Sequence, residues 1–455
     1  MTIPAFNPVA LKELRQLTRT RLVSLVLVGY PILLFIIFAF AQNAAGHSVS
    51  PIEAAYGSGQ GTGPFTAIGV FTGIITCIII PLVTSTKTTY EYIKGRMGLE
   101  FTTTLTPMQI VNGKIMAAGI ISGAIIAVSM PFFAITYLMR GVELVHVFST
   151  PAMLFLFSLA ETALCLPIAT SIGSAPAVRL LLMVMVNAST CGLLSSILSI
   201  DWDVRGGSST LETLAPYISI PLILSTVILL ARSGAAAQIS PPFVDSDRPL
   251  RRTTAILILV TAPLLFLSTG LGWCICWGVV SVIMLARSAS TLRPMPRSVI
   301  AKAPKSFFKR LFAYPFATGP ASGQFFALLV FAITATVGVC LGKDFDAWLQ
   351  YVLATVETFG LIIFASNIGR KIGSPRAMKA MLVLAVVWVA FANFSNALAE
   401  MHAIGTGLAQ ILPCNYYGIH IQVEIHSIVT VIMVLFSAMP FAVMLLREFR
   451  NYRRP

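Results

Sequence analysis

Charge is scarce in this chain. Asp, Glu, Lys and Arg make up 11% of its 455 residues, where a soluble domain carries about 25%. Hydrophobic residues make up 56%, and the mean hydropathy is +0.86. An ordinary water-soluble globule is excluded, and most of the chain is expected in lipid. Acid is scarcer than base, 17 residues against 31, for a net charge of +14. Nucleic acid is not the partner this implies, because the basic residues fall in short loops beside apolar runs and are not interleaved with stackable surface. Anionic membrane lipid is. A disulfide framework is also missing, since Cys77, Cys165, Cys191, Cys274, Cys276 and Cys340 fall inside apolar runs and leave only Cys414 in a loop; a thiol in such a run acts as a small hydrophobe. No metal is expected: Cys274 and Cys276 have no second ligand pair, and His420, Glu424 and His426 read as interfacial polar residues. Nor is there a G-x-x-x-x-G-K-[ST] run, because Gly113-Lys114 is followed by Ile115 and lacks the upstream Gly. The chain therefore has no phosphate-cradling loop of its own for ATP.

What is present is a series of apolar runs. A helix needs roughly 20 such residues to cross the hydrocarbon core, and twelve runs qualify: Leu22 to Gln42, Phe65 to Thr86, Ile115 to Leu138, Pro151 to Ile172, Leu180 to Ile200, Leu214 to Ala231, Ala255 to Gly270, Leu271 to Ala286, Gln324 to Gly342, Gln350 to Gly369, Ala380 to Leu398 and Ile425 to Leu446. The expected fold is an all-α, polytopic membrane bundle of about 12 helices with both termini cytoplasmic, in the inner (plasma) membrane of a bacterium. Laid out this way, 28 of the 31 Lys and Arg lie on one side and only Arg140, Arg205 and Lys343 on the other, as the positive-inside rule requires. The seventh and eighth runs are one stretch split at Ser268-Thr269-Gly270, as a hairpin or a re-entrant pair. Reading them as a single helix leaves 14 basic residues inside against 17 outside and abolishes the bias. The basic N-terminus followed by an apolar run ending Ala39-Phe40-Ala41 has the outline of a secretory signal. The run is too long for one, and the 21 residues before it are organised as a helix.

That leading segment, Asn7-Pro8 to Arg19, puts Leu11, Leu14 and Leu17 near one helical face and Lys12, Arg15 and Arg19 on others. Such a helix lies in the interface plane. The loop after the second span, Tyr90 to Lys114, alternates charges, then carries a Thr run and Thr106-Pro107 before apolar Ile110 and Val111. Pro107 suits the first turn of a short helix with Thr106 as its N-cap, and a compact helix parallel to the membrane there would pass force to the spans on either side.

These two segments resemble the permease subunits of type-2 ATP-binding-cassette (ABC) exporters. In that family an amphipathic elbow helix, often opening Asn-Pro and carrying a Glu-Leu-Arg-like stretch, leads into the first span. The loop after its second span runs Gly-Thr-Leu-Glu, Leu-Ser/Thr-Pro, Ile-Val-x-Gly-Lys. Here Leu99-Glu100, Leu105-Thr106-Pro107 and Ile110 to Lys114 match; Gly98 stands where the family has Thr, and the stretch from Glu100 to Leu105 is about two residues short. The resemblance covers residues 1 to about 231. It implies an elbow helix over 1–21 and a six-span unit over 22–231 with a coupling loop at 87–114; residues 232–455 are expected to form a second, divergent six-span unit, a candidate internal repeat. It further implies ATP and Mg on a separate cytoplasmic ABC ATPase, in two copies, docking at Glu91, Arg96, Gly98, Glu100, Pro107, Gly113 and Lys114, with no cofactor in this chain.

An echo links the halves. Ile172-Gly173-Ser174 follows the fourth span and Ile372-Gly373-Ser374 the tenth, with Glu161-Thr162 and Glu357-Thr358 upstream of each. Six spans separate them, which makes this a parallel repeat or a chance likeness of two apolar segments. On the first reading one chain is a self-contained two-unit permease; on the second it is a homodimer with peripheral spans seven to twelve. Glu161 and Glu357 are the only acids placed within spans, and an intramembrane carboxylate is a functional candidate. Gly69-x-x-x-Gly73 and Gly119-x-x-x-Gly123 give small packing faces. An exporter subunit is the expected function; a proton-coupled secondary transporter using Glu161 and Glu357, or a membrane scaffold, are the alternatives.

Overall fold

Two helices of the first unit start where a side chain relieves the first turn of unpaired amides. The computed structural model describes residues 7–18, 21–48, 61–94, 105–139, 142–170, 179–180, 183–184, 186–187, 210–240, 245, 247–262, 270–289, 295–301, 303–341, 356, 359–360, 362–363, 366–367 and 440–452. Every regular element among the described residues is helical. Five helices are long and apolar enough to cross a membrane: Thr62–Ile93, Pro107–Leu138, Leu144–Ala169, Ser219–Ile239 and Pro320–Val337. The expected eleventh span and most of the fifth, tenth and twelfth lie outside the described residues. The chain divides into two units, Met1–Ser240 and Pro241–Pro455.

In the first unit α1 (Pro8–Thr18) opens at Asn7, whose side-chain oxygen accepts the Val9 amide at 3.0 Å, with Pro8 at the first helical position, where no amide hydrogen is missed. α2 (Arg21–Ser48) is followed by α3 (Thr62–Ile93), which widens into one π-helical stretch at Ile74–Ile79. α4 (Pro107–Leu138) starts from a capping box. The Thr106 hydroxyl accepts the Gln109 amide at 3.3 Å, and the Gln109 side chain accepts the Thr106 amide at 2.9 Å, satisfying two orphan donors at once. α5 (Leu144–Ala169) packs against α3, α4 and α6 (Thr210–Ile239). Small residues make that seam close: Ala163, Ala231, Ala235 and Ala236 meet Val111, Ile115 and Leu166, the packing expected where lipid offers no hydrophobic drive.

Three expectations are corrected here. The helix expected to be short and parallel at Pro107 is the first turns of α4 and runs unbroken to Leu138, because nothing between Ile110 and Ile115 breaks it and both ends of that stretch are buried. The span expected over Phe65 to Thr86 continues to Ile93, since Thr88 and Thr89 donate to the carbonyls four residues back and stay helical past the apolar run. The expected loop of 87–114 is therefore mostly helix ends, with 94–106 between them. The span expected to end at Ala231 continues to Ile239 through Ala235-Ala236-Ala237, good helix formers.

In the second unit the stretch expected to split does so. α7 (Asp247–Thr261) and α8 (Gly270–Ala289) run antiparallel: Arg287 pairs with Asp247 at 3.1 Å, Thr254 lies 3.8 Å from the Met284 sulfur, and the indoles of Trp273 and Trp277 both donate to the Thr261 hydroxyl at 3.0 Å. α7 starts eight residues before the expected Ala255 and has 15 residues, about 22 Å, short of the roughly 30 Å core. Asp247 supplies the early start as an acid in the first turn. Two short helices, α9 (Arg297–Ala301) and α10 (Phe307–Ala313), a 3₁₀ turn at Tyr314–Phe316 and α11 (Pro320–Leu341) follow. A last helix, α12, covers 440–451. α8 packs along α11.

Candidate functional site

Four charged side chains of the first unit meet, three of them buried and Lys87 partly exposed. Lys114, one turn beyond the apolar pair Ile110-Val111 on α4, is 2% exposed and donates to Glu13 at 2.7 Å and to Glu91 at 2.7 Å. Glu13 accepts a second ion pair from Lys87 at 2.5 Å. Glu13 comes from α1, Lys87 and Glu91 from the end of α3, and Lys114 from the start of α4, so the cluster joins three elements. Its charges sum to zero, and each buried one has an opposite partner, the condition under which buried ions are tolerated. Burial pushes the Glu13 carboxyl up, but Lys114 first and Lys87 after it outweigh that and hold it below its ordinary value.

The contact is close because two residues permit it. A Cβ on Gly113 would sit 2.6 Å from the Cβ of Val9 and 3.0 Å from the Ala10 amide nitrogen, so only glycine lets the backbone of α1 lie against α4. Asn7 adds a side-chain donor to the Gln109 carbonyl at 2.8 Å. Val9, Ala10 and Glu13, at helical spacing, form the inward face of α1, and Leu11 lies outward, 40% exposed, where a lipid interface would cover it. The arrangement links the two helix ends that flank residues 94–106 to each other and to the helix that leads into the first span.

A second polar region lies deeper. A π turn leaves a backbone carbonyl out of the usual ladder, and here Ser158 of α5 donates to the Thr76 carbonyl at 2.8 Å while sharing a 2.6 Å hydrogen bond with Ser122 of α4. Tyr30 of α2 and Thr72 bond at 2.8 Å. Thus α2, α3, α4 and α5 share buried hydroxyl contacts, with Glu161 buried one turn along α5 from Ser158, 1% exposed.

Of the residues the sequence singled out, Glu91 and Lys114 are brought together, Pro107 opens α4, Gly113 admits α1 and Glu161 is buried one turn from Ser158. Arg96, Gly98, Glu100 and Glu357 lie outside the described residues, as do both Ile-Gly-Ser triplets. Glu13 and Lys87 were missed. The available signal for Glu13 was its place as the lone acid of a basic helix, on the same face as Val9 and Ala10. Among the described residues no three His, Cys, Asp or Glu side chains gather in a metal-like group. No family model, curated protein or solved structure matches the chain.

Proposed function

We propose that this chain is the transmembrane subunit of an ATP-driven ABC exporter of the type-2 class. It would move a substrate out of the cytoplasm through the inner membrane, with ATP and Mg bound by a separate cytoplasmic ATPase. The observation that carries the reading is the cluster of buried Glu13, Glu91 and Lys114 with the partly exposed Lys87. It ties the ends of α3 and α4 to α1, so a push on the segment between them is transmitted to the first three spans together. Glu91 and Lys114 turn inward, which leaves Arg96, Gly98 and Glu100 as the docking residues of the segment between the two helices. The resemblance at Asn7-Pro8 and at Leu105-Thr106-Pro107 supports the same assignment.

Affinity purification of the full chain from detergent with its ATPase tests this. Glu100→Lys should weaken association or uncouple substrate-stimulated hydrolysis while membrane insertion is kept, because a reversed charge at a protein interface costs more than one in water. Unchanged association and unchanged hydrolysis would sink the assignment. Native mass spectrometry of the complex sets the stoichiometry: one permease with two ATPases for a fused two-unit permease, two permeases with two ATPases for a homodimer.

The buried Glu161, one turn from Ser158, favours one second reading, a proton-coupled secondary transporter. Transport that persists without any ATPase and stops in Glu161→Gln would select it.

A further inference from the structure

At one end of the second unit the ends of several helices converge. Asp247 at the start of α7 pairs with Arg287 near the end of α8 and donates its amide to Thr318, ahead of α11, at 3.2 Å. Glu448 of α12 accepts the Ala321 amide at 2.8 Å. Arg251, 4% exposed, ties this floor together by donating to the carbonyls of Pro315 at 2.9 Å, Ala317, and Gly319 at 3.2 Å. Tyr314 packs on Phe449 and Tyr452, so the segment bearing α10 is fastened to α12. The described residues of 245–252, 287, 297–310 and 447–450 include ten Lys and Arg against Asp245, Asp247 and Glu448.

A cavity of about 290 Å³ lies in this basic end, lined among others by Asp245, Arg248, Arg252, Pro304, Phe316 and Tyr452. Its two guanidiniums are weakly engaged. Arg248 reaches Asp245 at only 4.0 Å, and Arg252 has no carboxylate partner among the described residues. The wall thus carries one net positive charge, which suits a singly charged phosphodiester, while Asp245 opposes a phosphomonoester or a polyphosphate. The volume lies just under the roughly 300–1,000 Å³ range of small-molecule sites. It takes a headgroup and excludes acyl chains.

A place for the chains adjoins it. α10 has no buried residue, and Phe308 and Phe312 are 71% and 75% exposed. Lys309 and Arg310 lie between them, the composition of a helix at the membrane interface. Ala313 at the end of α10 is part of the cavity wall, so headgroup site and apolar face are contiguous.

We propose that this cavity binds the headgroup of one anionic phospholipid, with its phosphodiester held by Arg248 and Arg252 and its acyl chains along Phe308 and Phe312. The proposal needs only the membrane location and stands whether or not the chain exports anything.

Native mass spectrometry of the delipidated full chain, titrated with phosphatidylglycerol or phosphatidylcholine, tests it. One phosphatidylglycerol should bind in preference to phosphatidylcholine. Arg252→Gln, at an exposed position that folding does not need, should weaken it about fivefold, and Arg248→Gln/Arg252→Gln about 25-fold. Phe308→Ser/Phe312→Ser should also weaken phosphatidylglycerol. Equal binding of the two lipids, an unchanged double arginine variant, or full displacement by millimolar inorganic phosphate overturns the proposal. So does protection of Lys305 and Lys309 from an amine reagent by the ATPase but not by phosphatidylglycerol, which would make this end a protein-docking surface.

Discussion

Replacing Lys114 by methionine tests what holds α1 against the bundle. Methionine keeps most of the volume and removes the charge. Glu91 then loses its ion-pair partner while Glu13 keeps Lys87, leaving one net negative charge buried, a loss of about 3–5 kcal/mol. Glu13→Gln is milder, because Lys114 and Glu91 remain a neutral pair and Lys87, whose side chain is 26% exposed, reaches water. The cost is that of weakened charged hydrogen bonds, about 1.5–3 kcal/mol. Lys87→Met removes only that partly exposed pair, worth about 0–1 kcal/mol. The order Lys114, Glu13, Lys87 is thus set by which charge each change strands. Amide hydrogen exchange of residues 8–18, read in the full chain in nanodiscs, measures it. Each 1.4 kcal/mol is about tenfold, so Lys114→Met should speed exchange of α1 by about a hundredfold or more, until its protection is exhausted. Glu13→Gln should speed it about ten- to hundredfold, and Lys87→Met by less than about fivefold. Equal effects of Lys114→Met and Lys87→Met, or an unprotected α1 in the wild type, would refute the reasoning.

Three further outcomes follow from single contacts. Gly113→Ala meets the Val9 Cβ and the α1 backbone and should cost about 1–3 kcal/mol of α1 docking, whereas Gly119→Ala meets only the end of the Leu159 side chain at 2.9 Å and should cost less than about 1 kcal/mol; the same exchange measurement separates them. The Glu13 carboxyl is held below its ordinary 4.5, so its contribution is complete above that value and is lost as pH falls through the lower folded value. α1 protection should be equal at pH 6 and pH 7 and fall only in acid below about 4.5. Ser158→Ala strips the Thr76 carbonyl of its donor and should destabilise the first unit by about 0.6 kcal/mol, and at most about 2 kcal/mol. A melt followed with a thiol-reactive dye reads this through buried Cys77 and Cys165.

What the sequence made legible was local or statistical. The capping residue Thr106 and the first-turn Pro107 were read correctly because a capping box spans only four positions. The division of the long apolar stretch after Ala255 into two helices was read from charge counting, since one helix would have reversed the sidedness of everything after it. The helix bounds were less legible. Hydropathy marks where a chain is apolar, whereas a helix ends where its backbone bonding ends, and Thr88, Thr89 and Ala235-Ala236-Ala237 carry helices past their apolar limits. The π turn in α3 was invisible for a related reason: Ile74 to Ile79 is an ordinary apolar string, and what stabilises its freed carbonyl is Ser158, 82 residues away.

The charged cluster shows most clearly why the site was only half legible. Glu91 and Lys114 stood out in the sequence because they fall in a polar segment beside matching motifs, and polarity in a loop reads as exposure. Both are buried because Glu13 closes the cluster from 101 residues away, and no local pattern reports a partner at that distance. Burial also changes what these residues can do. A lysine at a partner's surface contributes little and is replaceable, whereas Lys114 with two carboxylates fixes the relative positions of three helices at once. Mutations at Glu91 or Lys114 should therefore disturb α1 in the isolated chain, whereas on the proposed function Glu100→Lys should act only when an ATPase is present. That difference separates transmission from docking within one short segment.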